Sequence, residues 1–186
     1  QRSVLDERLK LLRSRLEDCL VSITWSHKIH EKQADIFIRS GKRWSVASIV
    51  ATVLTVTGAL GVISSCSILS QIATIVLACA SLFLYIYTLA YDYSGKAAEN
   101  KGAAKVFLAL REEGRDLLAA VDAGVSYDEA AARYAKLSEK NQTACALAPR
   151  TEDRAVTEAS NALSAGESTV TDRERANFCG NEGREA

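Results

Sequence analysis

Two histidines three residues apart, His27 and His30, with Glu31 beside the second, form a group of side chains that could bind a metal. On a helix their spacing places the two imidazoles on one face. Helical Glu-x-x-His metal sites draw a second such group from another helix, and the sequence offers none. We therefore expect two polar residues near a basic membrane surface and no metal site. The charged run "REEGRD" (111–116) is the next candidate, as paired carboxylates beside arginines. It reads more simply as a solvated helix face. No G-x-x-x-x-G-K-S/T, G-x-G-x-x-G or G-x-S-x-G pattern occurs. The five cysteines, Cys19, Cys66, Cys79, Cys145 and Cys179, are scattered without C-x-x-C spacing, so they suggest neither a zinc site nor a disulfide framework. We expect no catalytic residues, no cofactor and no enzyme.

A different pattern lies in the apolar part of the chain. Ser45, Ser48, Thr52 and Thr55 are spaced 3, 4 and 3, one face of a helix. Thr74, Ser81, Tyr85 and Thr88 are spaced 7, 4 and 3 and share another. These eight are candidates to face a water-filled path once several copies assemble. The competing reading has each hydroxyl bonded to its own i−4 carbonyl. Small residues such as Ala47, Ala51, Gly58 and Gly61 would then serve only close packing. Spacing alone leaves both open.

The element that carries these stripes is defined by what it lacks. From Trp44 to Tyr91, 48 residues contain no Asp, Glu, Lys, Arg or His. One bilayer crossing takes about 20 apolar residues, so two are predicted, 44–63 and 70–90. "GVISSCSILSQIA" supplies the turn between them, its serines satisfying backbone groups where the chain reverses. No charged residue lies in either span, which leaves no evident machinery for proton relay, voltage sensing or ion-coupled transport. Lys28, Lys32, Arg39, Lys42 and Arg43 precede the first span; Lys96, Lys101 and Lys105 follow the second. The positive-inside rule puts both termini in the cytoplasm. Arg43, Trp44, Tyr91 and Tyr93 mark the interface, with Tyr85 and Tyr87 in the same aromatic belt.

The flanks are of another material. Leu5, Leu9, Leu12, Leu16, Leu20 and Ile23 repeat at helical spacing, and Trp25, Ile29, Ile36 and Phe37 continue the series. Residues 1–43 are thus predicted as a cytoplasmic amphipathic helix that could break near Ser26. Residues 92–165 are predicted as cytoplasmic helices. One ends at Gly124. The next is capped by Ser126 with Glu129 in a capping box and fades near Asn141. Thr151 is expected to cap the last, after Pro149. The tail, 166–186, is nearly devoid of apolar residues and is expected to be disordered. Lys plus Arg equals Asp plus Glu, 23 each, so no basic surplus suggests nucleic acid as a partner. The chain has no Met and starts at Gln1, which leads us to expect a removed N-terminal segment; no cleavable signal is visible.

The layout of "LEDCLVSITWSHKIHEKQADIF", two spans with a short turn, and "AAKVFLALREEGRDLLAAVDAG…YDEAAARYAKLSEK…APRTEDRAVTEA" resembles the SLATT proteins, SMODS and SLOG-associating two-transmembrane effectors. The likeness covers about 5–163. It differs at Arg154, where an aromatic side chain is expected. The resemblance implies a membrane effector of prokaryotic conflict systems that forms pores when a sensor or nucleotide-messenger system detects infection. It carries no catalytic residues.

The expected fold is an all-α membrane protein: a two-helix transmembrane hairpin with a cytoplasmic N-terminal helix and a C-terminal helical bundle. Its expected partners are the lipid bilayer, further copies of itself in a homo-oligomer, and a separately encoded sensor or signalling protein. Its expected location is the inner membrane. The rival expectation is a non-catalytic anchor whose cytoplasmic helices dock a partner protein.

Overall fold

The computed structural model describes residues 2–65 and 68–167, without the side chains of 2–4, 6 and 62–65. The middle of the predicted turn and nearly all of the predicted tail lie outside the described residues. Among the described residues every element is an α-helix: α1 (Arg2–Ser65), α2 (Ile68–Tyr91), α3 (Tyr93–Asp122), α4 (Tyr127–Leu147) and α5 (Asp153–Ser164). The chain divides into two compact units, Gln1–Ala34 with Glu99–Ala186, and Asp35–Ala98.

The first unit is a bundle built on the leucine stripe of α1. Leu16, Leu20 and Ile23 meet Phe107, Leu110 and Leu117 of α3 and Leu137 of α4 in one buried cluster. The last helix adds Ala155, Ala159, Ala162 and Leu163, buried at the 4-3-1 spacing of one helix face. Gly114, the glycine of "REEGRD", has a packing role. A Cβ there would lie 2.7 Å from Leu20 Cδ2 and 3.2 Å from Leu137 Cδ2. Glycine lets the neighbouring leucines press onto the α3 backbone. The carboxylates around it form ion pairs: Glu112 with Arg115 at 3.1 Å and Glu113 with Lys140 at 2.8 Å.

Several local expectations change. The first helix does not break at Ser26, because no proline or glycine interrupts the sequence there and the apolar stripe continues. The fourth helix runs past Asn141 to Leu147, since Ala144 still packs on the core; Pro149 follows. Ser126 accepts the Glu129 N–H as its cap, and Gly124 takes φ +90° just beyond α3. Thr151 does not cap α5: the N-cap is Glu152, and its own N–H donates to Gln33 Oε1 of α1 at 2.7 Å. Arg154 is exposed and pairs with Glu158 at 3.1 Å, so no aromatic is needed there for the core.

The histidines are also not where expected. His30 is buried in the bundle, stacked on Phe107 with ring centroids 5.6 Å apart, and its Nδ1 lies 3.0 Å from Asn100 Oδ1. His27 Nδ1 donates to the Ala104 carbonyl at 2.9 Å. Both imidazoles tie α1 to α3. No group of three metal-capable side chains converges among the described residues.

In the second unit, α2 follows α1 after a two-residue link and gives way to α3 at one residue, Asp92. Asp92 takes φ +45°, a conformation Asp tolerates better than most, and its Oδ1 accepts the Gly95 N–H at 2.9 Å. This is a cap made by the first charged residue after the apolar run.

Candidate functional site

The hairpin is the part of the molecule that carries the candidate residues, and the first question is where its hydroxyls point. Two helices are long and apolar enough to cross a membrane. The second, at 24 residues, rises about 36 Å against a hydrocarbon core of about 30 Å. Its side chains include none that is buried, and the exposed set contains Leu69, Ile72, Ile75, Val76, Leu82 and Phe83. An outer surface of this kind is stable against lipid and not against water.

Between the two helices runs a narrow seam of small and hydroxylated residues. Among the described residues of the first span, Ala51 is the one buried apolar residue. Thr55 Oγ1 lies 3.1 Å from Ser81 Oγ across the seam. A Cβ on Gly58 would sit 2.9 Å from Thr74 Oγ1, so glycine there lets the helices approach. Of the other small residues, Gly61 faces open space and Ala47 is exposed.

The eight candidate residues divide accordingly. Ser48, Thr55, Thr74, Ser81 and Thr88 are half-buried, whereas Ser45, Thr52 and Tyr85 are exposed. Thr55 and Ser81 are the pair that this geometry brings together, and Thr74 lies against Gly58. The i−4 carbonyl bonds are formed as well: Thr52 to Ser48, Thr55 to Ala51, Thr74 to Ser70 and Ser81 to Leu77, each at 2.8 Å. The Thr88 hydroxyl reaches the Leu84 and Tyr85 carbonyls at 3.1 and 2.9 Å.

Thr55 and Ser81 therefore share three oxygen contacts between two hydroxyl protons. A hydroxyl donates one hydrogen bond, so the proton that links the helices must leave a carbonyl of its own helix. The converse also holds. If the helices separate, each hydroxyl still has its i−4 carbonyl, and no donor is stranded in hydrocarbon.

The aromatic belt stands at the charged end of the hairpin. Trp44 meets Tyr87 at 5.3 Å between ring centroids, Tyr87 stacks with Tyr91 at 6.0 Å, and Tyr91 meets Tyr93 at 4.3 Å. Lys96 Nζ lies 3.5 Å above the Tyr91 ring, a cation–π contact. Tyr85, two residues from Tyr87, points away from this ladder and is exposed. Arg43 is exposed beside Trp44. Two features escaped sequence reasoning. Asp92 acts as the junction residue between span and bundle; its position right after Tyr91 was the available signal. Gly41 allows close approach, since a Cβ there would be 3.0 Å from Tyr93 Cβ; nothing local announces that.

In the bundle, the polar group nearest the C-terminal end of the described residues is an ion cluster on α1. Lys28 is buried and pairs with Glu31 and Glu167, each at 2.8 Å; Lys32 reaches Glu167 at 3.2 Å. Burial alone would lower the Lys28 ammonium, but its hydrogen bonds to Glu167 and Glu31 outweigh this and hold it above the usual lysine value. The hydrogen bonds from Lys28 and then Lys32 hold the Glu167 carboxyl below its usual range. The cluster fastens Glu167, three residues past the end of α5, to the N-terminal helix.

Comparison with known proteins agrees with a chain that carries two membrane-length apolar helices and further helices. The sequence pattern of SMODS and SLOG-associating 2TM effector domain family 4 matches residues 12–174. No curated protein and no solved structure matches the chain significantly. The match takes in α1 from Leu12 onward, the whole hairpin and every later helix. The chain thus belongs to SMODS and SLOG-associating 2TM effector domain family 4, and is a membrane effector of a conflict or defence system.

Proposed function

We propose that the protein permeabilises the inner membrane of a prokaryotic cell by assembling several hairpins around a water-filled path when a separately encoded sensor or signalling protein triggers it. Both termini lie in the cytoplasm on this reading, as the lysines and arginines flanking the two spans favour. Two spans cannot enclose a path by themselves, so the active form is a homo-oligomer. The observation that carries the reading is the Thr55–Ser81 contact. The hydroxyls of one hairpin meet in its own seam at rest, yet each keeps an i−4 carbonyl to fall back on. The seam can open toward a common axis without leaving an unpaired hydrogen-bond donor in lipid. The trigger acts by binding the open arrangement better than the closed one.

The test is membrane potential, followed with a dye in cells after induced expression. The wild type is compared with a variant carrying Thr52→Val, Thr55→Val, Thr74→Val and Ser81→Ala. These changes remove the hydroxyls while keeping side chains that the seam can hold, whereas leucine at 74 would collide with the close approach at Gly58. Depolarisation by the wild type, together with the trigger, and its loss in the inserted variant is the expected result. Equal depolarisation by both overturns a path lined by these faces.

The second reading, an anchor that docks a partner protein, draws on one observation in the bundle. A groove of about 510 Å³ between α3 and α4 is lined by Val106, Leu110, Ala144 and Leu147, and Leu147 is 79% exposed. On this reading the four-hydroxyl variant keeps full biological activity, and Leu147→Glu abolishes it.

A further inference from the structure

At the charged end of the hairpin, inside the unit Asp35–Ala98, a cavity of about 400 Å³ opens between α1 and the α2–α3 junction. Its size is that of a small-ligand site. Its lining changes character along its length. Ile38 and Leu89 give it apolar walls, while Lys42, Asp92 and Ser94 give it a polar end. Leu89 is in the last turns of the uncharged run, Lys42 stands two residues before it, and Asp92 is the first charge after it. The cavity therefore crosses from the hydrocarbon level to the headgroup level of the bilayer.

The charges in it are unusual in not being spent on each other. Lys42 makes no ion pair among the described residues, and Asp92 uses one carboxylate oxygen on the Gly95 N–H. A ligand that satisfies both must carry an anion and a hydrogen-bond-donating cation close together. It must also carry an apolar part, because the cavity leads onto Leu89, which is 70% exposed, and then onto Ile86 and Leu82 on the same face of α2. Phosphoethanolamine on a diacylglycerol has these three parts. Its phosphate is an acceptor for lysine and its primary ammonium a donor to a carboxylate. A phosphocholine headgroup has a cation that donates no hydrogen bond, and a phosphoglycerol headgroup has no cation.

We propose that this cavity binds one phosphoethanolamine-headed glycerophospholipid, with its phosphate on Lys42, its ammonium on Asp92 and an acyl chain along Leu89 and Ile86. Such a lipid would sit against the single residue that joins the second span to the bundle.

The experiment is native mass spectrometry of the full-length protein released from mixed micelles holding equal amounts of phosphatidylethanolamine, phosphatidylcholine and phosphatidylglycerol. The expected result is one retained phosphatidylethanolamine, enriched over phosphatidylcholine by about ten-fold or more, the scale of one charge-assisted hydrogen bond. Lys42→Ala should lower retention of all phospholipids. Asp92→Asn, which keeps the oxygen that accepts the Gly95 N–H, should abolish the preference for phosphatidylethanolamine and spare the fold, as checked by circular dichroism. Soluble glycerophosphoethanolamine at the same concentration should not displace the lipid, because it lacks the chain. No enrichment, enrichment insensitive to Asp92→Asn, or displacement by the soluble headgroup would each overturn the proposal.

Discussion

The bundle and the hairpin use similar apolar residues in opposite ways. In the bundle, Leu16, Ile23, Leu137 and Leu163 are fully buried while charges cover the outside. In the hairpin, α2 buries no side chain fully, and its isoleucines with Leu69, Leu82 and Leu89 face outward. The reason is the solvent. Water drives apolar area inward in the bundle, whereas lipid gives it no such drive, and the contact between the spans falls to glycine, alanine and hydroxyls. The contrast has a functional consequence. A contact made of hydroxyls with alternative partners is easier to exchange than a packed leucine core, so rearrangement is expected in the hairpin before the bundle.

The two tryptophans make the contrast measurable, because Trp25 lies in the bundle unit and Trp44 in the hairpin unit. In a Trp44→Phe background, fluorescence reports the bundle alone. There the largest expected effect is Phe107→Ala, which opens a cavity under His30 and should cost about 3–5 kcal/mol in a denaturant titration. A loss below about 1 kcal/mol would mean that the bundle is not close-packed, and the contrast would fail.

The next effect is a difference of sign between two glycines of α3. Gly114→Ala should destabilise the bundle by about 1–3 kcal/mol, because its new methyl meets Leu20 and Leu137. Gly102→Ala meets nothing within 4 Å and should stabilise the same helix by about 0.5–1 kcal/mol. Equal effects would show that the close approach at Gly114 is not made.

A smaller effect belongs to the hairpin. A double-mutant cycle of Thr55→Val and Ser81→Ala, followed by Trp44 fluorescence in a Trp25→Phe background, should give a coupling of about 0.6 kcal/mol. A coupling of about 3 kcal/mol would make the seam as fixed as the core and remove the basis for exchange.

The smallest effect is electrostatic. Glu167 has its carboxyl depressed by Lys28 and Lys32, so its contribution is present above the usual carboxyl value of 4.5 and lost as pH falls through the depressed value. Wild type and Glu167→Gln should therefore differ in bundle melting temperature at pH 7 and converge in acid below that window. A difference that persists unchanged in acid would place the effect elsewhere.

Parts of this architecture were legible because they depend on composition over long windows. The uncharged run of 44–91 and the leucine stripe of α1 needed no partner to be read. The caps at Ser126 and Gly124 were legible because both ends of each interaction are a few residues apart. Ser26 misled because a polar residue in a long helix resembles a break, and the stripe on either side of it decides otherwise. Thr151 misled for a different reason: the group that satisfies the Glu152 N–H is Gln33, 119 residues away.

The candidate site followed the same rule. Spacing put four hydroxylated residues of each span on a common face, since helical period is a local property. Which of them meet was settled only by the approach of the two helices, where Thr55 faces Ser81 and Gly58 receives Thr74. His27 and His30 were visible as a pair, but their place within the bundle needed Phe107, Asn100 and Ala104, each seventy or more residues on. The sequence by itself determined the all-helical class, the membrane hairpin and the family. Tertiary structure decided which small residues are seams, which charges are latched and where a cavity of small-ligand size lies, because each depends on distances between segments that no local pattern encodes.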